Sequence, residues 1–482
     1  MSKEIKSISS PKLHLEILTP DEIKKIHDAT LWVIEKVGVR FPSKRALDIW
    51  AAHGAAVDPG KMIVRAKGEL IEDALKSCPP VYPLAARDPR QNLLLDGNHV
   101  FLGTDGCGVE VIDIHTGQRR TSNLQDVREI ALIADATEEV AFHWVAVSAQ
   151  DMPTRSRGLH ELKATWENST KHVQTESIYN ENEARAAMQM AELIVGGMDN
   201  LRKTPVLSLM QCSASPLGHD GGSLDAALVA AEYGIPTGFM TMAANLTTGP
   251  ATLAGNLVVG NAEVIAGTAL IQLAYPGAPV FYAAAQTASD LRTGAYTGGG
   301  PEDFLYGAAT NVLSDYYNIP LSMGSFATGA KEPNWQAGVE NSLSTFMACI
   351  AMSDMLLGVG FLHGSRIWSF TEMMMDCEIF SIIHKTMQGI IINDETLALD
   401  TIRAVGPGGN FLAQKHTLKN MRNLFLPQFL DRRPFSEWET RKNDARDWAL
   451  EKARNILDSH QPDPMDEKVS AEMAKIITSF EM

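Results

Sequence analysis

Short apolar runs alternate with helical stretches over most of this sequence, and this alternation is the feature that most restricts its fold. Seven such runs follow residue 125, most of them after a G-x-P or N-I-P turn at the end of a helix. They are VAFHWVAVSA, HVQTES, PVLSLMQCSAS, IPTGFMTMAANL, PVFYAAAQTA, IPLSMGSFA and LLGVGFLHG. The stable closed form of a β/α alternation is a parallel barrel with helices outside.

We therefore predict an α/β fold, a TIM-type (β/α)8 barrel. For the eighth strand the sequence offers ETLALDTIRAV, at 395–405. An open doubly wound sheet is the alternative. No GxGxxG follows the first strand, which disfavours the nucleotide-binding form of that alternative.

Three segments are predicted along the chain. Residues 1–125 form an N-terminal α+β extension, 126–410 the barrel, and 411–482 a C-terminal helical segment. The extension begins with TPDE at 19–22, which has the form of a helix capping box with proline at the first helical position. Near its end, NHVFLGTDGCGVEVIDIHTGQRRTS predicts a strand pair with a glycine-rich loop and a hairpin turn.

Composition excludes several classes of protein. The net charge of -16 argues against a nucleic-acid or anionic-membrane partner. The five cysteines form no CxxC pair and no HExxH occurs, so neither a metal site nor a disulfide framework is indicated. The N-terminus has no apolar signal region, and the longest apolar stretch carries Asn261 and Glu263. We expect a cytoplasmic protein without its own metal.

The loops that follow the strands of such a barrel form its active-site face. Three of these loops combine aromatic rings with isolated cations and amides, a combination that suits a small zwitterion. The candidates for an aromatic cage around an organic cation are Tyr282, Tyr296, Phe326, Trp368 and Phe370. The candidates for a carboxylate anchor are His363, Arg366, Arg292 and Lys331, and those for orienting the substrate are Gln286 and Asn245.

A structural explanation competes with each of these roles. Aromatic rings near strand ends also serve as core, and Lys331 would pair with a carboxylate. The TDGCG sequence at 104–108 is most simply a hairpin turn, although its glycines would also let a large ligand approach closely. These residues do not by themselves specify a reaction.

Several longer segments carry a resemblance to a known family. They include HDATLWVIEKVGVRF, KHVQTES, GAKEPNWQAGVENSL and DCEIF, and the closing GGNFLAQKHTLKNMRNLFLPQFLDRR. Spread over nearly the whole chain, these segments resemble the trimethylamine methyltransferase family, which consists of corrinoid-dependent enzymes. The resemblance implies a barrel fold and methyl transfer to the Co(I) of a separate corrinoid protein.

This sequence departs from the family in one respect. Members that demethylate trimethylamine contain pyrrolysine within the barrel, whereas this chain consists of standard residues throughout. It therefore resembles the branch without pyrrolysine, whose members act on quaternary amines such as glycine betaine. The resemblance implies a cobalamin-type corrinoid supplied by the partner protein, and we also expect a homo-oligomer.

Other functions stay open at this point. The same chemistry on proline betaine, carnitine or γ-butyrobetaine differs only in the length of the pocket. A betaine-binding protein without catalysis is a further alternative. An S-adenosylmethionine methyltransferase would need a glycine-rich loop after the first strand, and none is present.

Overall fold

The computed structural model describes residues 5–9, 15, 17–106, 108–296 and 298–482. Cys107 of the TDGCG loop lies outside the described residues. The same holds for most of the first sixteen residues, where the sequence predicts no secretory signal.

A closed parallel barrel forms the centre of the molecule. Its eight strands are β1 (His99–Thr104), β2 (Val140–Trp144), β3 (His172–Thr175), β4 (Leu207–Cys212), β5 (Thr237–Thr241), β6 (Val280–Ala284), β7 (Leu321–Gly324) and β8 (Met355–Val359). β8 pairs in parallel with both β7 and β1, which closes the barrel. The predicted TIM-type barrel is confirmed, and the open doubly wound sheet is excluded.

The seven apolar runs are strands β2 to β8, but the eighth strand was expected in the wrong place. ETLALDTIRAV forms two short helices, Asp394–Leu397 and Leu399–Val405. The missing strand is β1, which lies within the segment 1–125 that the sequence assigns to the extension. A hairpin, Glu110–Ile112 with Arg119–Thr121, separates β1 from the first barrel helix. The regular alternation of strand and helix is therefore interrupted here, and the sequence predicts β1 as one strand of a hairpin.

A helix follows each strand on the outside of the barrel. These helices are α1 (Leu124–Ala136), α2 (Arg157–Asn168), α3 (Glu181–Val195), α4 (Gly221–Glu232), α5 (Leu253–Ala274), α6 (Pro301–Tyr317), α7 (Trp335–Ile350) and α8 (Phe370–Met387), with a short helix Met198–Lys203 after α3. α5 is long and apolar enough to cross a membrane, but 78% of its apolar window is buried. N-terminal helices cover its outer side, and a helix covered all round is apolar all round.

The N-terminal extension supplies that cover. Its helices are Pro20–Lys36, Lys44–Ala52 and Gly68–Leu75, and its antiparallel sheet consists of Val39–Arg40, Ile63–Arg65 and Ala56–Asp58. The predicted capping box is confirmed: Thr19 accepts a hydrogen bond from the Glu22 N–H, and the Glu22 carboxylate accepts one from the Thr19 N–H. The first helix ends before Gly38, which has a φ of +95°.

A second hairpin closes the bottom of the barrel, where the strands begin. It consists of Tyr82–Leu84 and Leu93–Leu95, joined by the 3-10 turn Pro89–Gln91. Its apolar side chains pack with those inside the barrel, and the Tyr82 hydroxyl donates to the Val280 carbonyl at 2.7 Å. Strand Ser7–Ser9 pairs antiparallel with β1 beside it. The opposite end of the barrel stays open to ligands.

That open end, the mouth, carries a small sheet built from two loops. The strands are Phe361–Leu362, Ile367–Ser369, Glu110–Ile112 and Arg119–Thr121, in that order, so the loop after β8 pairs with the loop after β1. Two-residue strands Ala244–Asn245 and Thr287–Ala288 pair across the loops after β5 and β6. The mouth is therefore a set of interlocked loops.

The chain ends in further helices. They are Asp394–Leu397, Leu399–Val405, Lys415–Asn420, Phe435–Trp438, Ala445–Ser459 and Glu467–Glu481, with a 3-10 turn at Met421–Asn423. Helix Ala445–Ser459 packs on α8 and α1, and helix Glu467–Glu481 packs on α3 and α2. The last two helices thus belong to the outer layer of the barrel.

Candidate active site

A narrow cavity of about 100 Å³ lies in the mouth of the barrel. Seven of the eight strands contribute to it at or near their C-terminal ends, through residues such as Asp105, Trp144 and Met323. Its wall contains no lysine, arginine or histidine among the described residues. It combines aromatic and methionine side chains with two carboxylates, which is the composition expected of a site for an organic cation.

One of the carboxylates is Asp105, the residue that follows β1. Its Oδ1 accepts from the Gly106 N–H at 2.9 Å, and its Oδ2 accepts from the Ser365 hydroxyl at 2.7 Å. Burial raises the pKa of Asp105 to about 6, although these two hydrogen bonds oppose the shift. At neutral pH the group is mainly ionised, and no cationic side chain of the described chain lies beside it in the cavity. A cation bound there would be electrostatically favoured.

Ser365 reaches Asp105 from a turn in the left-handed backbone region. His363, Gly364 and Ser365 have φ values of +57°, +63° and +59°. Side-chain-bearing residues rarely adopt this conformation, and where they do the surrounding structure must hold them. Here the antiparallel pairing of Phe361–Leu362 with Ile367–Ser369 fixes the turn.

Trp144 forms part of the cavity wall at the end of β2. A Cβ atom at Gly106 would lie 2.5 Å from its indole Nε1, so the glycine allows the ring to pack beneath the loop. At Gly106 the group that approaches closely is thus the Trp144 side chain, and the approach of a ligand to the TDGCG glycines stays a prediction. The indole Nε1 is buried and has no hydrogen-bond partner among the described residues.

The other carboxylate comes from the first turn of α6. Asp303 caps that helix by accepting from the Gly300 N–H at 2.9 Å, and its neighbour Phe304 also lines the cavity. Burial raises the pKa of Asp303 to about 6. Tyr296, from the loop between β6 and α6, also lines the cavity. Its hydroxyl donates a hydrogen bond to the Ala285 carbonyl at 3.1 Å. The two carboxylates approach the cavity from different elements.

The two amides proposed to orient a substrate lie one behind the other. Gln286 lines the cavity, donates to the Asn256 carbonyl at 2.7 Å, and keeps a buried Oε1 without a partner among the described residues. Asn245 is occupied: its amide donates to Pro250, and its oxygen accepts from Asn256 and Tyr306. Of the two amides, Gln286 is therefore the one that lines the cavity.

Four of the five proposed cage rings lie in the hydrophobic core and do not line the cavity. Tyr282, Phe326, Trp368 and Phe370 are all at most 2% exposed. Side chains alternate along a strand, so Phe281 and Ala283 of β6 face the interior while Tyr282 faces the helices, where its hydroxyl donates to Asn261 at 3.2 Å. Core packing, the alternative role for rings near strand ends, therefore accounts for these four residues. Tyr296 is the cage candidate that lines the cavity.

The proposed anchors lie outside the cavity, at its rim. His363 is exposed and adjoins Gly364, which lines the cavity. Partial burial of its ring lowers the pKa of His363, and the positive charges of Lys331 and Arg366 lower it further. Arg366 pairs with Glu110 at 3.5 Å, and the Lys331 ammonium donates to the Gly329 carbonyl. Arg292 is 90% exposed and pairs with Asp290 at 3.7 Å.

A buried polar cluster supports the loop after β8 from behind. The Asn341 amide donates to Glu372 at 3.0 Å and to Asp376 at 2.9 Å, and Asp376 accepts from the Gly360 N–H at 2.9 Å. Burial raises the pKa of Asp376. A protonated carboxyl group in this pair removes the repulsion between two buried charges.

Asp105, Asp303 and Phe304 line the cavity, and the sequence did not predict them as site residues. Asp105 belongs to a segment that reads as a hairpin turn, and Asp303 reads as an ordinary helix cap. One signal was available for Asp105: a polar residue immediately at the end of an apolar strand. No comparable signal exists for Asp303 and Phe304, because they reach the cavity from a helix.

Comparison with known proteins identifies the family. The profile described as Trimethylamine methyltransferase (MTTB) matches residues 1–479. The chain belongs to this family. The resemblance drawn from the sequence segments is thereby confirmed.

Individual relatives cover almost the whole chain. A protein named trimethylamine methyltransferase MttB from Desulfitobacterium hafniense (strain DSM 10664 / DCB-2) is 32% identical, over 96% of this chain and 93% of its own length. Its namesake from Methanosarcina barkeri is also 32% identical, over 96% and 95%. A glycine betaine methyltransferase from Desulfitobacterium hafniense (strain Y51) is equally 32% identical, over 96% of both chains. The relatives are methyltransferases with different named substrates, so identity alone does not choose between the substrates.

Proposed function

We propose that this protein transfers a methyl group from a quaternary amine to the Co(I) of a corrinoid bound by a separate protein. Glycine betaine, which would leave as dimethylglycine, is the amine we propose. The observation that carries the proposal is the cavity in the barrel mouth, with aromatic rings, two carboxylates and no cationic side chain among its described wall residues. Membership of a methyltransferase family supports it.

The cavity suits a quaternary ammonium better than a protonated amine. A quaternary nitrogen has no N–H to donate, so it is recognised by ring faces and by negative charge. Trp144, Tyr296 and Phe304 supply rings, and Asp105 and Asp303 supply charge. A buried carboxylate is costly without a counter-charge, so a bound cation offsets part of that cost.

The reaction itself needs no acid or base from the protein. The C–N bond breaks, its electron pair stays on nitrogen, and the product is a neutral tertiary amine. The corrinoid supplies the electron pair that forms the new bond to the methyl carbon. What remains for this chain is to bind the ammonium, direct one methyl group outward and exclude water.

The positive charge on nitrogen falls as the methyl group leaves. The carboxylates therefore contribute to binding of the substrate and not to the rate of methyl transfer. Asp105 and Asp303 stabilise the charged substrate at least as well as the transition state. Interactions of equal or greater strength in the ground state lower KM and do not raise kcat. The catalytic gain then comes from positioning of the substrate by the cavity wall, to which Gln286 belongs.

The carboxylate end of a betaine would point to the rim. His363 adjoins the wall residue Gly364, and Lys331 and Arg366 lie near His363. We propose these three residues as anchors: Lys331 and Arg366 would supply positive charge, and His363, whose pKa is lowered, would donate a hydrogen bond from its neutral ring. Proline betaine, carnitine and γ-butyrobetaine place the two charges at other distances, so the same site would select among them by length.

Methylation of free cob(I)alamin by the purified protein, followed by absorbance, tests the proposal. The panel is glycine betaine, proline betaine, carnitine, γ-butyrobetaine, choline and trimethylamine. Turnover with glycine betaine and none with trimethylamine is the expected result. Turnover with a longer betaine only would keep the reaction and change the substrate.

Absence of turnover is followed by the same assay with a cognate corrinoid protein. If that assay also gives no methylated corrinoid while a betaine binds, the protein is a betaine-binding protein and the proposed reaction is wrong. The Asp73→Asn variant, which removes a 71% exposed carboxylate that does not line the cavity, serves as the matched charge control for site variants.

A further inference from the structure

A long exposed segment follows the last barrel helix. We define this segment, residues 388–438, as the arm. Phe429 is its only buried residue, and it rests against α8, where Glu378 accepts hydrogen bonds from the Gln428 and Phe429 N–H groups at 2.8 and 3.2 Å. Before that anchor, no residue from Gln388 to Gln428 is buried.

The arm is exposed but it is not polar. It exposes fifteen large apolar residues, six of them to 72% or more: Ile390, Ile392, Leu412, Leu418, Leu424 and Leu426. At these exposed fractions the large apolar residues of the arm together present on the order of 1,500 Å² of surface.

Folding of a single chain does not explain an ordered segment of this kind. Fixing the backbone costs roughly 1–2 kcal/mol per residue, and burial of apolar surface is what normally offsets that cost. The arm keeps its shape through polar contacts of its own, such as those of His416 and Lys419 with Glu395. These contacts are exposed and weak.

The surface of the whole chain points the same way. The accessible surface is 21449 Å², whereas a compact monomer of 52.5 kDa would have about 17,600 Å². An excess of several thousand Å² is characteristic of a subunit whose extended parts are covered by its neighbours. The arm is the largest uncovered apolar segment of the described chain.

We infer that the arm is the contact surface for a second copy of this chain. A stable interface takes roughly 800 Å² from each partner, and the apolar surface of the arm exceeds that value. A partner that must dock and leave in each turnover uses a smaller and more polar interface, which argues for a permanent occupant.

Charge favours self-association through the arm in particular. The arm carries six basic and five acidic residues, whereas the whole chain has a net charge of -16. Electrostatic repulsion between two copies is therefore smallest where the arms face each other. The five acidic residues among the apolar ones disfavour an anionic membrane as the occupant.

The test measures the mass of the full-length protein in solution by sedimentation equilibrium. The wild type is expected at a multiple of 52.5 kDa down to low micromolar concentration. The double variant Leu424→Lys/Leu426→Lys is expected as a monomer, or with a dissociation constant raised by roughly 100-fold or more. The control, Leu94→Lys/Leu291→Lys, introduces the same two charges at exposed leucines outside the arm and keeps the wild-type mass.

A wild type that sediments as a monomer at tens of micromolar would overturn the inference. So would an arm variant with the mass of the wild type. Hydrogen exchange on the wild type guards against a misfolded variant: the arm amides are expected to be protected at high concentration and to lose protection on dilution. Absence of protection at every concentration, or binding of a monomer to phosphatidylserine vesicles, also contradicts the inference. None of these results depends on the proposed reaction.

Discussion

Replacing Asp105 with asparagine keeps the size of the side chain and removes its charge from the cavity. Burial raises the pKa of this group from 3.8 to about 6 in the folded protein. A difference of roughly 2 pKa units corresponds to about 3 kcal/mol, by which the folded state is destabilised once the group ionises. The cost is absent below pH 3.8, grows as the pH rises, and is fully present above pH 6.

The same charge is expected to attract the substrate. At a separation of about 5 Å and an effective dielectric of about 20, a carboxylate and an ammonium attract by about 3 kcal/mol. Desolvation of the ligand removes part of this, which leaves roughly a tenfold effect on binding. Asp105→Asn should therefore make the protein more stable at pH 7, by about 1–3 kcal/mol, and weaken substrate binding about tenfold.

Chemical denaturation and isothermal titration with glycine betaine and with tetramethylammonium measure the two effects. The kinetic counterpart is a raised KM with kcat little changed. Asp73→Asn, with its carboxylate at the surface, should change neither quantity. A variant that binds tetramethylammonium as tightly as the wild type, or that is less stable than the wild type, would refute the role given to Asp105.

Three further outcomes are expected. Because Asp105 and Asp303 have raised pKa values of about 6, the affinity for tetramethylammonium should fall as the pH drops from 7 to 5. Replacing both residues with asparagine should flatten this pH profile, and an unchanged profile in that variant would place the titrating group elsewhere. Gly106→Ala puts a Cβ 2.5 Å from the Trp144 ring, so activity should drop and tryptophan emission should shift, while an active variant with wild-type emission would show that the ring is not constrained there. Trp368→Ala should lose about 3–5 kcal/mol of unfolding free energy, because the ring is fully buried; a stable variant with raised KM would restore the cage role that the sequence suggests.

The fold could be predicted from the sequence because its signal is local and repeated. Each of the strands β2 to β8 is a short apolar run with a turn before it, and seven such units suffice to indicate a closed barrel. β1 was not predicted as a barrel strand because a hairpin lies between it and the helix that follows. Pairing with β8, more than two hundred residues away, is what makes it a barrel strand.

The site could be predicted only as a region. Tyr296 and Gln286 were placed in the correct loops and reach the cavity, whereas Tyr282 comes from the correct strand and faces the other way. The difference is one residue of strand register, which residue type does not reveal. The roles of Tyr296 and Gln286 in binding stay predictions.

The sequence by itself determined the barrel, the family and the end of the barrel that carries the candidate site, because periodicity, turns and long shared segments are properties of the chain order. Tertiary structure alone decided which side chains share the cavity. Asp105 and Asp303 are 198 positions apart and line one cavity only because the barrel closes. Their raised pKa values, like the exposure of the arm, are consequences of which surfaces lie against one another, and no local pattern of residues encodes that.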